Sequence, residues 1–367
     1  MSASSSNQRH SEQRRNYRIV ALPGEGIGPE VVEASLTILQ AIAQVSDFTV
    51  TVDRGWIGEP AMRQFGVPLP AETLQLCEGS DGIVFGAVTK GGLLELRRHF
   101  DLFANLRPVC PSSSLLEASP IKAERLQGVD LLFVRELVSG IYFGEAGREV
   151  DSRSGSNFHA GFHTMRYTGA DIRRVAKVAF TRAQARRRHL CVAHKENALP
   201  AIPWTQLVQE VAEEFPDVTV TPMLVDNLAM QLVMRPQDFD VILAGNLFGD
   251  ILSDLGGAIA GSIGLLGSAS LNASGFGLYE PVHGTAPDIA GKGIANPLGT
   301  LAGVILMLEQ WDEKIAAHHL RSIQVELLKQ GYRPLDLVQE DSTVPQQSVT
   351  TRELVDLFLA EIHRLDG

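Results

Sequence analysis

Asp250 and Asp254 stand four residues apart in Asn246-Leu-Phe-Gly-Asp250-Ile-Leu-Ser-Asp254, so a helix there puts both carboxylates on one face. Carboxylates so placed repel each other unless a cation or several donors neutralise them. Hard oxygen ligands of this kind suit Mg2+ or Mn2+, which complete their shell with substrate and water. A helix-start acid followed by a solvated acid has the same spacing. A third acid, Asp226, follows an apolar run from Val218 to Met223. It reads equally as a helix cap or as a ligand at a strand end, where open parallel sheets bind their ligands.

Three arginines sit in apolar surroundings: Arg97 in Leu96-Arg97-Arg98-His99, Arg107 in Asn105-Leu106-Arg107-Pro108, and Arg135 in Phe133-Val134-Arg135-Glu136. Arg135 interrupts a run that reads as a buried strand and therefore needs an anionic partner. Three guanidinium forks converging on one place would grip a dicarboxylate through bidentate bonds, although each alone reads equally as a structural ion pair. Lys195 follows the apolar strand Leu190–Ala193, and Tyr142 lies in Gly140-Ile141-Tyr142-Phe143-Gly144. A lysine beside a divalent cation sheds its proton more readily and can act as a base, with a tyrosine as proton donor. A solvated lysine and a core-edge tyrosine are the bland alternatives.

Two glycine-bearing segments add to this. Gly24-Glu25-Gly26-Ile27-Gly28 has G-x-G-x-G spacing rather than the dinucleotide fingerprint G-x-G-x-x-G, so it marks a tight turn into a helix. The segment from Glu280 to Asn296 is dense in Gly, Pro, Asp and Asn, which reads as a long ordered loop of the kind that carries function.

Such side chains need rigid elements to hold them. Strands are expected at 17–22, 81–86, 130–137, 189–193, 218–224 and 239–244. Helical patterns lie between them, such as 171–187 with Ile172, Val175, Ala176, Ala179 and Phe180 on one face. The alternation implies an α/β protein with a largely parallel sheet. Arg186, Arg187 and Arg188 read as a solvated helix end that complements the dipole. Residues 1–15 are polar and Ser-rich and read as a disordered tail.

Composition agrees with a globular chain. The 367 residues are 44% hydrophobic and 20% charged, and 32 basic against 43 acidic residues give a net charge of −11. This balance disfavours nucleic acid and acidic lipid as partners. Three scattered cysteines, Cys77, Cys110 and Cys191, do not form a disulfide framework and fit a reducing, cytoplasmic compartment. No apolar run is long enough to span a bilayer.

Taken in order, LPGEGIGPE (22–30), FANLRP (103–108), VREL and GIYFGE (134–145), VDNLAMQL (225–232), GNLFGDILSD (245–254) and EPVHGTAPDIAGKGIANP (280–297) resemble one family. It is the metal-dependent β-decarboxylating dehydrogenases, most closely the isopropylmalate dehydrogenase branch beside isocitrate, homoisocitrate and tartrate dehydrogenases. The resemblance implies a non-Rossmann α/β fold of two domains sharing a central mixed sheet. Residues 16–108 plus 265–367 would form a cofactor-binding domain, and 109–264 an inserted domain for dimerisation and metal binding. It further implies a homodimer with composite sites, in which Asp226, Asp250 and Asp254 hold Mg2+ or Mn2+ and Lys195 and Asp226 come from the neighbouring subunit. Arg97, Arg107 and Arg135 would grip the malate carboxylates, and Tyr142 and Lys195 would be the acid–base pair. Glu280, His283, Gly284, Thr285, Ala286, Asp288, Ile289 and Asn296 would bind the cofactor. Asp288-Ile289 stands where NADP-using relatives carry Lys-Tyr, so NAD is expected.

The implied reaction oxidises C2 of a 3-substituted malate, releases CO2 and protonates C3. Every catalytic position is retained, but specificity positions depart from the pattern. Glu25 replaces an Asp, Leu255-Gly256-Gly257 replaces a stretch richer in Ala and Glu, and the substrate loop AVTKGGLLEL (87–96) is short, with Lys90 where an acid is common. Ala198 stands where isopropylmalate enzymes carry Val. Leu93, Leu94 and Ala198 thus outline an apolar side-group pocket that fits isopropyl or a bulkier group such as benzyl, in the manner of a benzylmalate-type paralogue. The alternatives are a homoisocitrate- or isocitrate-type substrate, contacted by Lys90, and a catalytically silent regulatory subunit.

Overall fold

The runs Gly82–Ala87 and Leu131–Glu136 are buried along their whole length. Only a sheet covered on both faces can accommodate them, which is the layering of an α/β protein. The computed structural model describes residues 14–150, 159–340, 342 and 345–365. Apart from the two-residue pair Tyr332–Arg333 and Gln347–Ser348, its strands in chain order are β1 (Arg15–Gly24), β2 (Phe48–Arg54), β3 (Gly82–Ala87), β4 (Ala104–Val109), β5 (Leu131–Glu136), β6 (Ala146–Val150), β7 (His159–His163), β8 (His189–His194), β9 (Thr219–Leu224), β10 (Val241–Ala244), β11 (Gly267–Leu271) and β12 (Gly277–Pro281).

Ten of these strands form one sheet in the order β2-β1-β3-β12-β11-β4-β5-β10-β8-β9. The outer strands pair in parallel, whereas β12–β11, β11–β4 and β4–β5 are antiparallel, so the sheet is mixed. β6 and β7 pair only with each other, antiparallel.

Alternation along the central strands sorts the core. Leu132 and Val134 of β5, with Leu243 of β10, pack beneath the helix Gly169–Gln184 through Ile172, Val175 and Ala179. Leu131 and Phe133, with Ile242, face the opposite way, toward Leu228, Leu252 and Ile259 of the helices Val225–Met234 and Asn246–Ala260. Arg135 continues this second set, because side chains two apart on a strand share a face.

Two expectations are corrected. Arg186 is not part of a solvated helix end, although Arg187 and Arg188 are exposed. The helix stops at Gln184, and Arg186 Nε lies 2.8 Å from Asp240 Oδ1, a carboxylate that is almost wholly buried and must be paired. The tail is also shorter than 1–15, since Arg15 opens β1 opposite Phe48 and its guanidinium lies 3.0 Å from Glu313. The rest of that tail, residues 1–13, lies outside the described residues. Among those described, the three cysteines are free and no helix is long and apolar enough to cross a membrane.

Candidate active site

β4 and β5 deliver two of the arginines. Asn105 stands opposite Arg135, and Arg107 opposite Phe133. Asn105 and Arg107 are two apart, so Arg107 and Arg135 project on the same side of the sheet as diagonal neighbours. The third, Arg97, lies in the last turn of the helix Leu93–His99. All three are buried, at 7%, 7% and 3% exposure for Arg97, Arg107 and Arg135.

The helix Asn246–Ala260 begins directly after β10 and crosses the face that carries Arg107 and Arg135. It can approach because Gly249 has no side chain: a Cβ there would stand 2.7 Å from Arg135 Cγ. Arg135 Nη1 bonds Asp250, while its Nε and Nη2 donate to Asn246 Oδ1 at 3.1 and 2.7 Å. Arg107 Nη1 donates to Ser253 Oγ at 2.7 Å and to Asp254 Oδ1 at 3.1 Å. The two helix carboxylates therefore face two guanidinium groups.

Burial pulls the Arg135 guanidinium down to about 10. Asp250 opposes that shift, and the charges of Arg107 and Arg97 add to it. It remains a cation at neutral pH. Burial pushes the Asp254 carboxyl up, and the Asp250 charge adds to this while Arg107 resists. Tyr142, in the 3-10 turn Gly140–Tyr142, donates from Oη to Asp250 Oδ2 at 3.0 Å. Burial first and the Asp250 charge second raise its phenol above the ordinary value, so it keeps its proton.

These groups surround a cavity of about 230 Å3 lined by Leu94, Arg97, Arg135, Leu137, Tyr142, Asn246 and Asp250. Leu94 is exposed at its rim, whereas Leu93 packs against the core cluster that holds Ile57 and Leu96. A larger cleft of about 420 Å3, beside Ser114 and Leu328, shares no residue with this constellation. Its buried Arg333 is engaged by the carbonyls of Leu328, Tyr332 and Ser114.

Lys195 and Asp226 do not join the acid pair within one chain. Lys195 Nζ donates to Asp226 Oδ1 at 2.6 Å, and this bond holds the Asp226 carboxyl below its usual range. Ala198 lies exposed in the turn after Lys195, its N–H donating to the Lys195 carbonyl. Among the described residues, no three Asp, Glu, His or Cys side chains of one chain gather as a metal-ligating group.

The segment from Glu280 to Asn296 is held at both ends. Glu280 Oε1 accepts from Arg97 Nη2 at 2.7 Å, and Asn296 Nδ2 donates to Asp336 Oδ2 at 3.2 Å. In its middle, Ile27 N–H donates to the Thr285 carbonyl at 2.9 Å. Gly26, at φ +64, is required there, since a Cβ would stand 2.0 Å from that same oxygen. Asp288 and Gly284 are exposed, while Ala286 and Ile289 pack against Ile27 and Val31. Burial lowers the His283 imidazole below its usual value, and its buried Nε2 has no hydrogen-bond partner.

Asn246, Ser253 and Leu137 line or brace the site and were not singled out from sequence. The available signal was that Asn246 and Ser253 flank the acids in a motif already chosen, at helix positions that turn toward the same strands.

Residues 18–358 match the family model described as isocitrate/isopropylmalate dehydrogenase. The chain belongs to this family. A 3-isopropylmalate dehydrogenase of Halalkalibacterium halodurans is 43% identical over 360 residues, covering 94% of this chain and 97% of that one. One of Aquifex aeolicus is 42% identical, covering 96% and 98%. Among solved structures, an isocitrate dehydrogenase from Methylococcus capsulatus superposes with a TM-score of 0.84 at 32% identity, covering 94% of this chain and 99% of that one. The protein is thus an enzyme of the β-decarboxylating dehydrogenase type.

Proposed function

We propose that this enzyme oxidatively decarboxylates a 3-substituted malate, 3-isopropylmalate or a bulkier analogue such as 3-benzylmalate, with NAD and Mg2+ or Mn2+. The observation that carries this reading is the cavity where buried Arg97 and Arg135, a protonated Tyr142 and Asp250 meet beneath a leucine rim, with Arg107 beside it 3.6 Å from Asp250.

The side chains fit both groups. Asp250 and Asp254 offer hard oxygen ligands, and the upward shift of Asp254 is a cost that a bound cation relieves. The partnerless His283 Nε2 and the exposed Asp288 carboxylate offer polar contacts to a dinucleotide. When bound, NAD would supply a hydride acceptor and the divalent ion, held by Asp250 and Asp254, would supply Lewis acidity. Arg97, Arg107 and Arg135 bind and orient the carboxylates. Lys195, oriented by Asp226, takes the proton of the 2-hydroxyl, and Tyr142 delivers its phenolic proton to C3.

Lys195 and Asp226 would complete the site from a second copy of the chain. Met230, Val233 and Met234 of the helix Val225–Met234, with Ile251 beside Asp250, expose an apolar surface suited to that association. An isocitrate-type substrate would bring a third carboxylate against Leu94 and Leu137, which favours the apolar side group.

A panel of malates differing at C3, assayed with NAD and Mg2+ in the parent and in Ala198→Val, tests the reading. Activity on the isopropyl or benzyl compound is expected. Ala198→Val should shift preference toward the smaller group by about 10- to 100-fold, the worth of a methyl-scale change in an apolar pocket. Preference for isocitrate would overturn the side-group assignment.

A further inference from the structure

Asn246 is wholly inaccessible, yet each arm of its amide is used. Oδ1 accepts both bonds of the Arg135 Nε–Nη2 edge, and Nδ2 donates to the Ser139 carbonyl at 2.8 Å. Its own backbone N–H donates to Tyr167 Oη at 2.8 Å, which pins the start of the helix. Ser139 leads directly into the turn Gly140–Tyr142. One side chain therefore links the arginine at the floor of the cavity to the turn that carries the tyrosine.

The chemical identity of that side chain matters. A carboxylate would make a stronger bond to the same guanidinium edge, but it would cancel the charge of Arg135. Asp250 already occupies Nη1. A neutral amide oxygen fixes the plane of the guanidinium without adding a second negative charge to that of Asp250, so an incoming carboxylate competes with one acid rather than two. The amide also supplies the N–H that the Ser139 carbonyl requires, which neither a carboxylate nor an apolar residue can provide.

We propose that Asn246 is a positioning residue for this reaction, holding Arg135 oriented without adding a second carboxylate to that of Asp250, and tethering the Tyr142 turn through Ser139. The proposal rests on the malate-type reading above, and it assigns Asn246 no contact with the reacting atoms. It predicts a defect in malate recognition rather than in cofactor binding.

The test compares the wild-type enzyme with Asn246→Asp, which keeps the size, and Asn246→Ser, which cannot span Arg135 and Ser139. KM for 3-isopropylmalate and for NAD, thermal midpoint, and calorimetric affinity for 3-isopropylmalate with Mg2+ but without NAD are measured. Asn246→Asp should raise KM for the malate and weaken its calorimetric affinity by about 10- to 100-fold, the range of a lost charge-assisted interaction. KM for NAD should stay near wild type, while the thermal midpoint falls by a few degrees with loss of the bond to the Ser139 carbonyl. Should Asn246→Asp not fold, Asn246→Ser is read in the same way. An unchanged malate KM, or equal rises in both KM values, would overturn the proposal. A wild type that turns over no 3-substituted malate would instead fell the proposed activity.

Discussion

Arg97 Nη2 and Glu280 Oε1 lie 2.7 Å apart, and both side chains are almost inaccessible. The arginine ends the helix that carries Leu94, and the glutamate opens the segment that runs on through His283 and Asp288. The elements proposed to hold substrate and cofactor are thus joined by one buried ion pair, and Arg97 Nε has no further partner. Removing one member leaves the other charge buried alone, at a cost of about 3–5 kcal/mol. Glu280→Ala is therefore expected to lower the denaturant midpoint and to raise KM for both malate and NAD. Lys314→Ala, which breaks the exposed pair with Asp312, should do neither. Equal effects of the two substitutions would contradict this account.

Asp288 is exposed, where its carboxylate can accept from ribose hydroxyls and would repel a 2′-phosphate. The enzyme should show a higher kcat/KM with NAD than with NADP, and Asp288→Lys should narrow the gap. The measurement is initial rate against either cofactor at saturating malate. A parent that prefers NADP would refute the assignment.

Glu136 gives stability a pH dependence of its own. Burial pushes its carboxyl from 4.5 up to about 7, against the opposing N–H groups of Val138 and Ser139. As pH rises through 4.5 the unfolded chain releases this proton while the native protein keeps it. Stability from this group is therefore full below about 4.5, declines between there and about 7, and is level above. The span corresponds to at most about 3 kcal/mol. Glu136→Gln should remove that decline, so its denaturant midpoint should gain on wild type between pH 5 and pH 7.5. A constant difference across this range would show that the group is not titrating there.

Lys195 and Asp250 are placed in different parts of one chain but act on one substrate in the composite-site reading. Lys195→Met and Asp250→Asn should each lower kcat by at least about 10²–10⁴-fold with unchanged circular dichroism. Refolding a mixture of the two inactive proteins should restore part of the activity, because some hybrid dimers would hold one intact site. No recovery, with hybrids present, would argue against sites built from two chains.

Much of this arrangement was legible before any coordinates. The i, i+4 spacing of Asp250 and Asp254 does put both acids on one helix face, and Arg135 does have an acid partner, as a cation inside a buried strand requires. Six of the ten sheet strands followed from apolar runs, whereas β2, β4, β11 and β12 did not, because polar residues such as Asn105, Arg107, Ser268 and Glu280 interrupt the buried ones. The antiparallel pairing of β4 with β5 and β11 was not legible, since strand order depends on which distant runs meet. Asn246 and Ser253 escaped notice because a buried amide or hydroxyl declares itself only when its partners are known. Arg186 was misread for a similar reason: its partner Asp240 lies 54 residues away in sequence.

The most direct test of the central claim is simultaneous measurement of NADH and CO2 from purified protein, NAD, Mg2+ and 3-isopropylmalate, before and after chelation of the metal. Equal amounts of the two products, both lost on chelation and restored by Mg2+ or Mn2+, are expected. NADH without CO2, or turnover indifferent to the chelator, would contradict the account.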